Sequence, residues 1–110
     1  MEDHKTARLA ALNDKLRREH IGGLIVFTAG VNALGCHFKA AALAAAAGFD
    51  AFNADNDPYG EHDFGELNVK GQRLFWKIDY YDQQLEFAAE DPSDERVCAR
   101  VMTLMLAEEY

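Results

Sequence analysis

Cysteine is scarce in this chain, and its spacing excludes two kinds of small domain. Cys36 and Cys98 lie 62 positions apart, in no C-x-x-C arrangement and with no second pair. Neither a zinc knuckle nor a disulfide framework is therefore indicated, and both residues read as buried thiols. Long apolar runs are missing too. Nothing approaches the roughly 20 residues that span a bilayer, and the charged opening of residues 1–20 lacks the apolar core of a signal peptide. The expectation is a cytoplasmic protein with no membrane partner.

Basic residues are the third shortage: 11 Lys and Arg face 19 Asp and Glu, a net charge of −8. The deficit is concentrated, because residues 50–95 carry three Lys/Arg against thirteen acids, a net −10, while residues 1–49 carry six against four. Such a field repels phosphate backbones and attracts basic protein surfaces, which argues against direct nucleic-acid binding and for a basic partner. An acidic face that serves only solubility gives the same composition.

What is present suffices for a core. With 110 residues, 49% of them hydrophobic, a single domain over 1–110 needs no covalent staple. Leu9, Leu12 and Leu16 recur at helical spacing within residues 5–20, and Gly22-Gly23 ends that helix. The run Leu24-Ile25-Val26-Phe27-Thr28 is continuous, so it predicts a strand that is central or covered on both faces. Phe38, Ala42, Ala45, Phe49 and Phe52 keep a 4-3-4-3 spacing that predicts a second helix over residues 34–53, continuous through Gly48. Its alanine-rich stretch 40–47 suits close packing.

Further on, Leu67 and Val69 alternate with polar residues, Lys70-Gly71 supplies a two-residue turn, and Leu74, Trp76, Ile78 and Tyr80 form one alternating face. That predicts a hairpin over 66–70 and 72–80. Leu85 and Phe87 continue the inward set on a third strand over 84–88. Asp91-Pro92-Ser93-Asp94 has the acid, proline and acid of a helix start, so residues 92–109 read as a helix. Its apolar residues, from Val97 to Leu106, cover over half the circumference, which makes it either central or the contact of a homodimer. The fold class is α+β: a small two-layer domain, an antiparallel sheet of three to four strands against two or three helices.

Two constellations could carry chemistry. Asp55-x-Asp57-x-Tyr59-Gly60-x5-Glu66 approaches the calcium loop D-x-[DN]-x-[DN]-G-x5-E, with Glu61 and Asp63 as further oxygen donors. Tyr59 and Pro58 break the pattern, a strand follows where a helix is needed, and Asx-type turns account for the same residues. No metal ligand and no cofactor is therefore assigned. Glu61-His62-Asp63 could place a general base between carboxylates, but no Ser or Cys nucleophile stands in a recognisable motif. A metal-dependent or hydrolytic enzyme at 55–63 is the alternative to a non-enzymatic interaction module, and a housekeeping domain with a solvated acidic face is the second alternative. For the interaction module, the candidate contacts are Asp55, Asp57, Glu61, Asp63, Asp79, Asp82 and Glu86, with Phe75 and Tyr81 as the aromatic residues facing away from the core.

Taken together, TAGV at 28–31, FDAF at 49–52, DNDPYGEHDFG at 55–65, FWKIDYYD at 75–82, EDPSD at 90–94 and VMTLMLAEEY at 101–110 resemble the bacterial family known as domain of unknown function 3768. The resemblance implies no catalytic residues. It implies a plasmid-borne, mobile-element setting, in which small acidic proteins block host defences by occupying nucleic-acid-binding surfaces. The expectation it adds is an anti-CRISPR or anti-restriction inhibitor of a nucleic-acid-handling defence complex.

Overall fold

Lys70 and Gly71 both take positive φ, 51° and 84°, which is the geometry a two-residue hairpin turn requires. The turn joins β2 (Phe64–Val69) to β3 (Gln72–Tyr81) in the antiparallel register Leu67↔Leu74 and Gly65↔Trp76. The computed structural model describes residues 2–110. As the alternation predicts, Leu74, Trp76 and Ile78 are buried on one face. Gly65 has a specific task there: a Cβ at this position would fall on the Trp76 indole nitrogen, so only glycine admits the ring.

The apolar run at the C-terminal end is a strand, β4 (Ala99–Leu106), in place of the expected helix over 92–109. It pairs antiparallel with β3 (Trp76↔Leu104, Ile78↔Met102) and parallel with β1 (Leu24–Phe27; Ile25↔Met102). The order β1-β4-β3-β2 thus makes β4 interior and the four-stranded sheet mixed. An interior strand is apolar on both faces, which mimics a helix that is apolar all round. With both its edges paired and no helix present, the expected homodimer contact through a C-terminal helix has no element to carry it. The Asp91-Pro92-Ser93-Asp94 signal builds a turn: the Asp91 carboxylate accepts from the Ser93 N–H and hydroxyl at 3.1 and 2.7 Å. The chemistry that caps a helix also closes an Asx turn.

Three further expectations are corrected. β1 lies at the sheet edge, with Leu24 and Val26 exposed. The second helix, here α3 (Gly35–Gly48), stops at its glycine, and Phe49 is extended. Residues 84–88 form no strand; only Ala88 bridges to Tyr81. Of the two thiols, Cys98 is buried and Cys36 is exposed.

The helical layer comprises α1 (Glu2–Glu19), the short α2 (Ala29–Asn32) and α3. Leu16, Val31, Phe38, Ala42 and Ala46 pack on Leu67, Val69, Leu74, Trp76, Ile78, Met102 and Leu104, giving a two-layer α+β domain. A closing 3-10 turn, Ala107–Glu109, ties back to the start of α2. The Glu109 carboxylate accepts from the Thr28 hydroxyl at 2.5 Å and the Gly30 N–H at 2.9 Å. The Thr28 hydroxyl, with the Leu106 amide, holds this carboxyl below its usual range.

Candidate functional site

The thirteen acids of residues 50–95 separate into two loops and one sheet face. In the first loop, Asn53 nucleates the turn: its side-chain oxygen accepts from the N–H groups of Asp55 and Asn56 at 2.8 and 3.0 Å. The Asn56 side chain returns to the Ala51 carbonyl at 2.8 Å. These are the Asx turns that the sequence allows. Asp55 stays exposed. Asp57 turns inward, where one oxygen accepts from the His62 N–H at 3.1 Å and the other lies 3.6 Å from His62 Nε2. Glu66, the twelfth position of the calcium-loop pattern, is on β2 and pairs with Arg73. Among the described residues, no three His, Cys, Asp or Glu side chains converge so as to hold a metal ion.

His62 has a left-handed backbone, φ 56°, which swings its ring away from the neighbours Glu61 and Asp63 and towards α1. Nδ1 lies 3.0 Å from an Asp14 oxygen, and the ring stacks on Phe52 at 3.9 Å with an interplanar angle of 3°. Its carboxylate partners are therefore Asp14 and Asp57. Among the described residues it bonds no hydroxyl or thiol that it could activate.

Beneath this loop, α1 inserts Asn13 and Arg17 and β4 supplies Arg100, polar side chains that carry no sequence signal, since each interrupts an apolar stripe. Arg17, fully buried, donates to the carbonyls of Ala46, Ala47 and Phe49 at 2.8, 3.2 and 2.8 Å and to Asp14 at 2.8 Å. A cation at these C-terminal carbonyls of α3 meets both the orphan acceptors and the negative end of the helix dipole. Its guanidinium also lies over the rings of Phe52 and Trp76, at 5.4 and 5.2 Å. Asn13, also fully buried, donates to the Glu61 carbonyl and the Tyr80 hydroxyl, both at 2.9 Å, and accepts from Arg100 Nε at 2.8 Å. Arg100 closes the set on the Pro92 carbonyl. The Tyr80 hydroxyl donates to Glu61 at 3.1 Å. Burial first, and the nearby carboxylates second, push this phenol up. Burial, reinforced by Glu61, likewise raises the Asp63 carboxyl.

Phe75 and Tyr81 do face away from the core, on the sheet face shared with Lys77, Asp79 and Thr103. Phe75 and Asp79 do not stand free. Phe75 is half-buried between Phe64 and Tyr110, at 5.0 and 5.3 Å between ring centres, and Asp79 is 3.4 Å from Lys77.

The second loop, residues 82–97, reverses what the sequence predicts. Leu85 and Phe87, expected to point inward, are 47% and 71% exposed. Alternation fails because Leu85 adopts φ 60°, which breaks the two-residue period. The Asp82 carboxylate accepts from the Glu86 N–H at 3.0 Å, and the Asp82 N–H donates to Phe87 O at 2.7 Å. Glu86, Glu90 and Glu95 project exposed carboxylates that form no ion pair among the described residues. Beside them, an open cleft of about 380 Å³ is lined by Asp82, Gln83, Gln84, Ala88, Glu90, Arg96 and Val97.

Among the described residues no helix is long and apolar enough to cross a membrane. No curated protein and no solved structure matches the chain. Residues 27–109 match the family described as Protein of unknown function (DUF3768). That span contains the hairpin, both acidic loops and nearly all of the sheet, and on it the chain belongs to this family.

Proposed function

We propose that this is a non-enzymatic interaction module that presents its acidic loops to a basic protein surface. The observation that carries the reading is the 82–95 segment, with six carboxylates and no Lys or Arg. Asp82, Asp91 and Asp94 hold the loop backbone while Glu86, Glu90 and Glu95 remain free in water. Unpaired like charges in one place repel each other, and a basic partner relieves that repulsion. His62 is engaged with the Asp14 and Asp57 carboxylates and stacked on Phe52, which supports a scaffolding role for it in preference to catalysis. The mobile-element setting implied by the family resemblance supports a finer reading, an anti-CRISPR or anti-restriction inhibitor that occupies a nucleic-acid-binding surface.

Tagged protein captured against a native host lysate at low and high salt tests this. The expected result is a nucleic-acid-handling protein whose capture weakens with salt and fails when Asp79, Asp82 and Glu86 are neutralised. Capture unaffected by those substitutions, or no basic partner at any salt, overturns the proposal. The enzymatic alternative is separated by an activity assay, since it requires turnover that is lost on His62→Ala with the fold intact.

A further inference from the structure

The 82–90 loop is held by backbone hydrogen bonds and by the Asp82 and Gln83 side chains, and it leaves its largest apolar side chains in water. The Asp82 carbonyl accepts from Leu85 N–H at 3.0 Å, Tyr80 O accepts from Ala89 N–H at 3.2 Å, and the Gln83 side-chain amide braces the loop against the Arg96 carbonyl at 3.1 Å. These bonds fix the tip that carries Phe87. Leu85 holds a left-handed backbone that glycine or asparagine would adopt at lower cost, and it gains little burial in return. Neither side chain is explained by folding.

We infer that Leu85 and Phe87 form a preorganised docking knob that enters an apolar socket on the partner, with the surrounding acids meeting a basic rim. The inference rests on the basic-partner reading above and names the residues that give it affinity. A loop already held by hydrogen bonds loses little freedom on binding, so an aromatic side chain at its tip is an efficient anchor. The charge selects the occupant. A second copy of the chain would bring the same six carboxylates to the contact, and an anionic lipid surface would repel them, whereas a basic rim is attracted. The same acids lie where water is excluded only after docking, which strengthens each pair.

Three labelled synthetic peptides of equal length test the inference by fluorescence anisotropy: alternating Arg and Leu, alternating Arg and Ser, and alternating Glu and Leu. The Arg/Leu peptide is expected to bind tightest, and Phe87→Ser to weaken it by about tenfold or more while leaving the Arg/Ser peptide unchanged. Since Phe87 is 71% exposed, its melting temperature should not move. Leu85→Asn suits the left-handed backbone and provides a second variant, with the same loss of binding and a Tm equal to or above the parent. Arg/Leu binding that ignores both variants but falls when Asp82 and Glu86 are neutralised overturns the knob and leaves the basic partner standing. Equal binding of the Glu/Leu peptide overturns the basic rim, and no binding of either Arg peptide at low salt overturns both readings.

Discussion

The junction under α1 and the 82–97 loop invert each other. In the junction, Arg17, Asn13 and Arg100 are charged or polar and fully or almost fully buried; in the loop, Leu85 and Phe87 are apolar and exposed. Buried charge persists where its donors find acceptors: the carbonyls of Ala46, Ala47 and Phe49, with Asp14, take the terminal nitrogens of Arg17, and Asn13 and Pro92 take Arg100, leaving Arg17 Nε without a partner among the described residues. The junction is therefore read as stability. An exposed aromatic on a hydrogen-bonded loop has no such justification and is read as recognition.

Substitutions should separate the two regions sharply. Arg17→Ala orphans the last carbonyls of α3 and opens a void beneath Phe52 and Trp76, and urea unfolding should show a loss of about 3 kcal/mol or more. An unchanged midpoint would break the contrast. Asn13→Ala strips partners from Arg100, Tyr80 and the Glu61 carbonyl together, with an expected loss of about 2 kcal/mol by the same measurement. In the loop the sign should reverse: Leu85→Asn relieves the left-handed strain and should gain up to about 1 kcal/mol. The smallest effect is pH-dependent. The Asp63 carboxyl is raised in the folded state, first by burial and then by Glu61, so its ionised form disfavours folding once pH exceeds the unfolded value. Thermal melts of Asp63→Asn should match the parent well below pH 3.8 and lie slightly above it at pH 7. An Asn variant less stable at pH 7 would show that Asp63 is held by contacts, not merely tolerated.

The sequence made the hairpin legible because a half-buried strand displays its period: Leu74, Trp76 and Ile78 alternate with Phe75 and Lys77 around a turn whose chemistry is unambiguous. β4 was illegible for the opposite reason, since an interior strand shows no period and Asp91-Pro92 announces a turn and a helix alike. Its β-branched Val101 and Thr103, within only eight residues, were the available signal. Of the candidate contacts, Asp82 and Glu86 are brought together in one loop, Asp57 is turned onto His62 and Glu61 onto Tyr80, Asp63 is partly buried beside Glu61, and Phe75 is screened by Tyr110. Leu85 and Phe87 could not be found by alternation, because one left-handed residue shifts the register of everything after it. Arg17 and Arg100 were hidden because a guanidinium's burial depends on acceptors that other elements bring to it, the end of α3 for Arg17 and Asn13 for Arg100.

The parallel pairing of β1 with β4 has a consequence for biosynthesis. Leu24 waits for Val101, so a growing chain carries an unjoined β1 and an unjoined hairpin until its closing strand is made. Helices and the β2–β3 turn can form early, but the sheet cannot, and the pairing that completes it spans most of the chain and is correspondingly slow. A product cut short before residue 99 would lose the middle of the sheet, leaving β1 and the hairpin as separate sticky edges. Quality control in the cell would meet such fragments as aggregation-prone debris, whereas a chain completed through Leu106 has every strand of its sheet in hand.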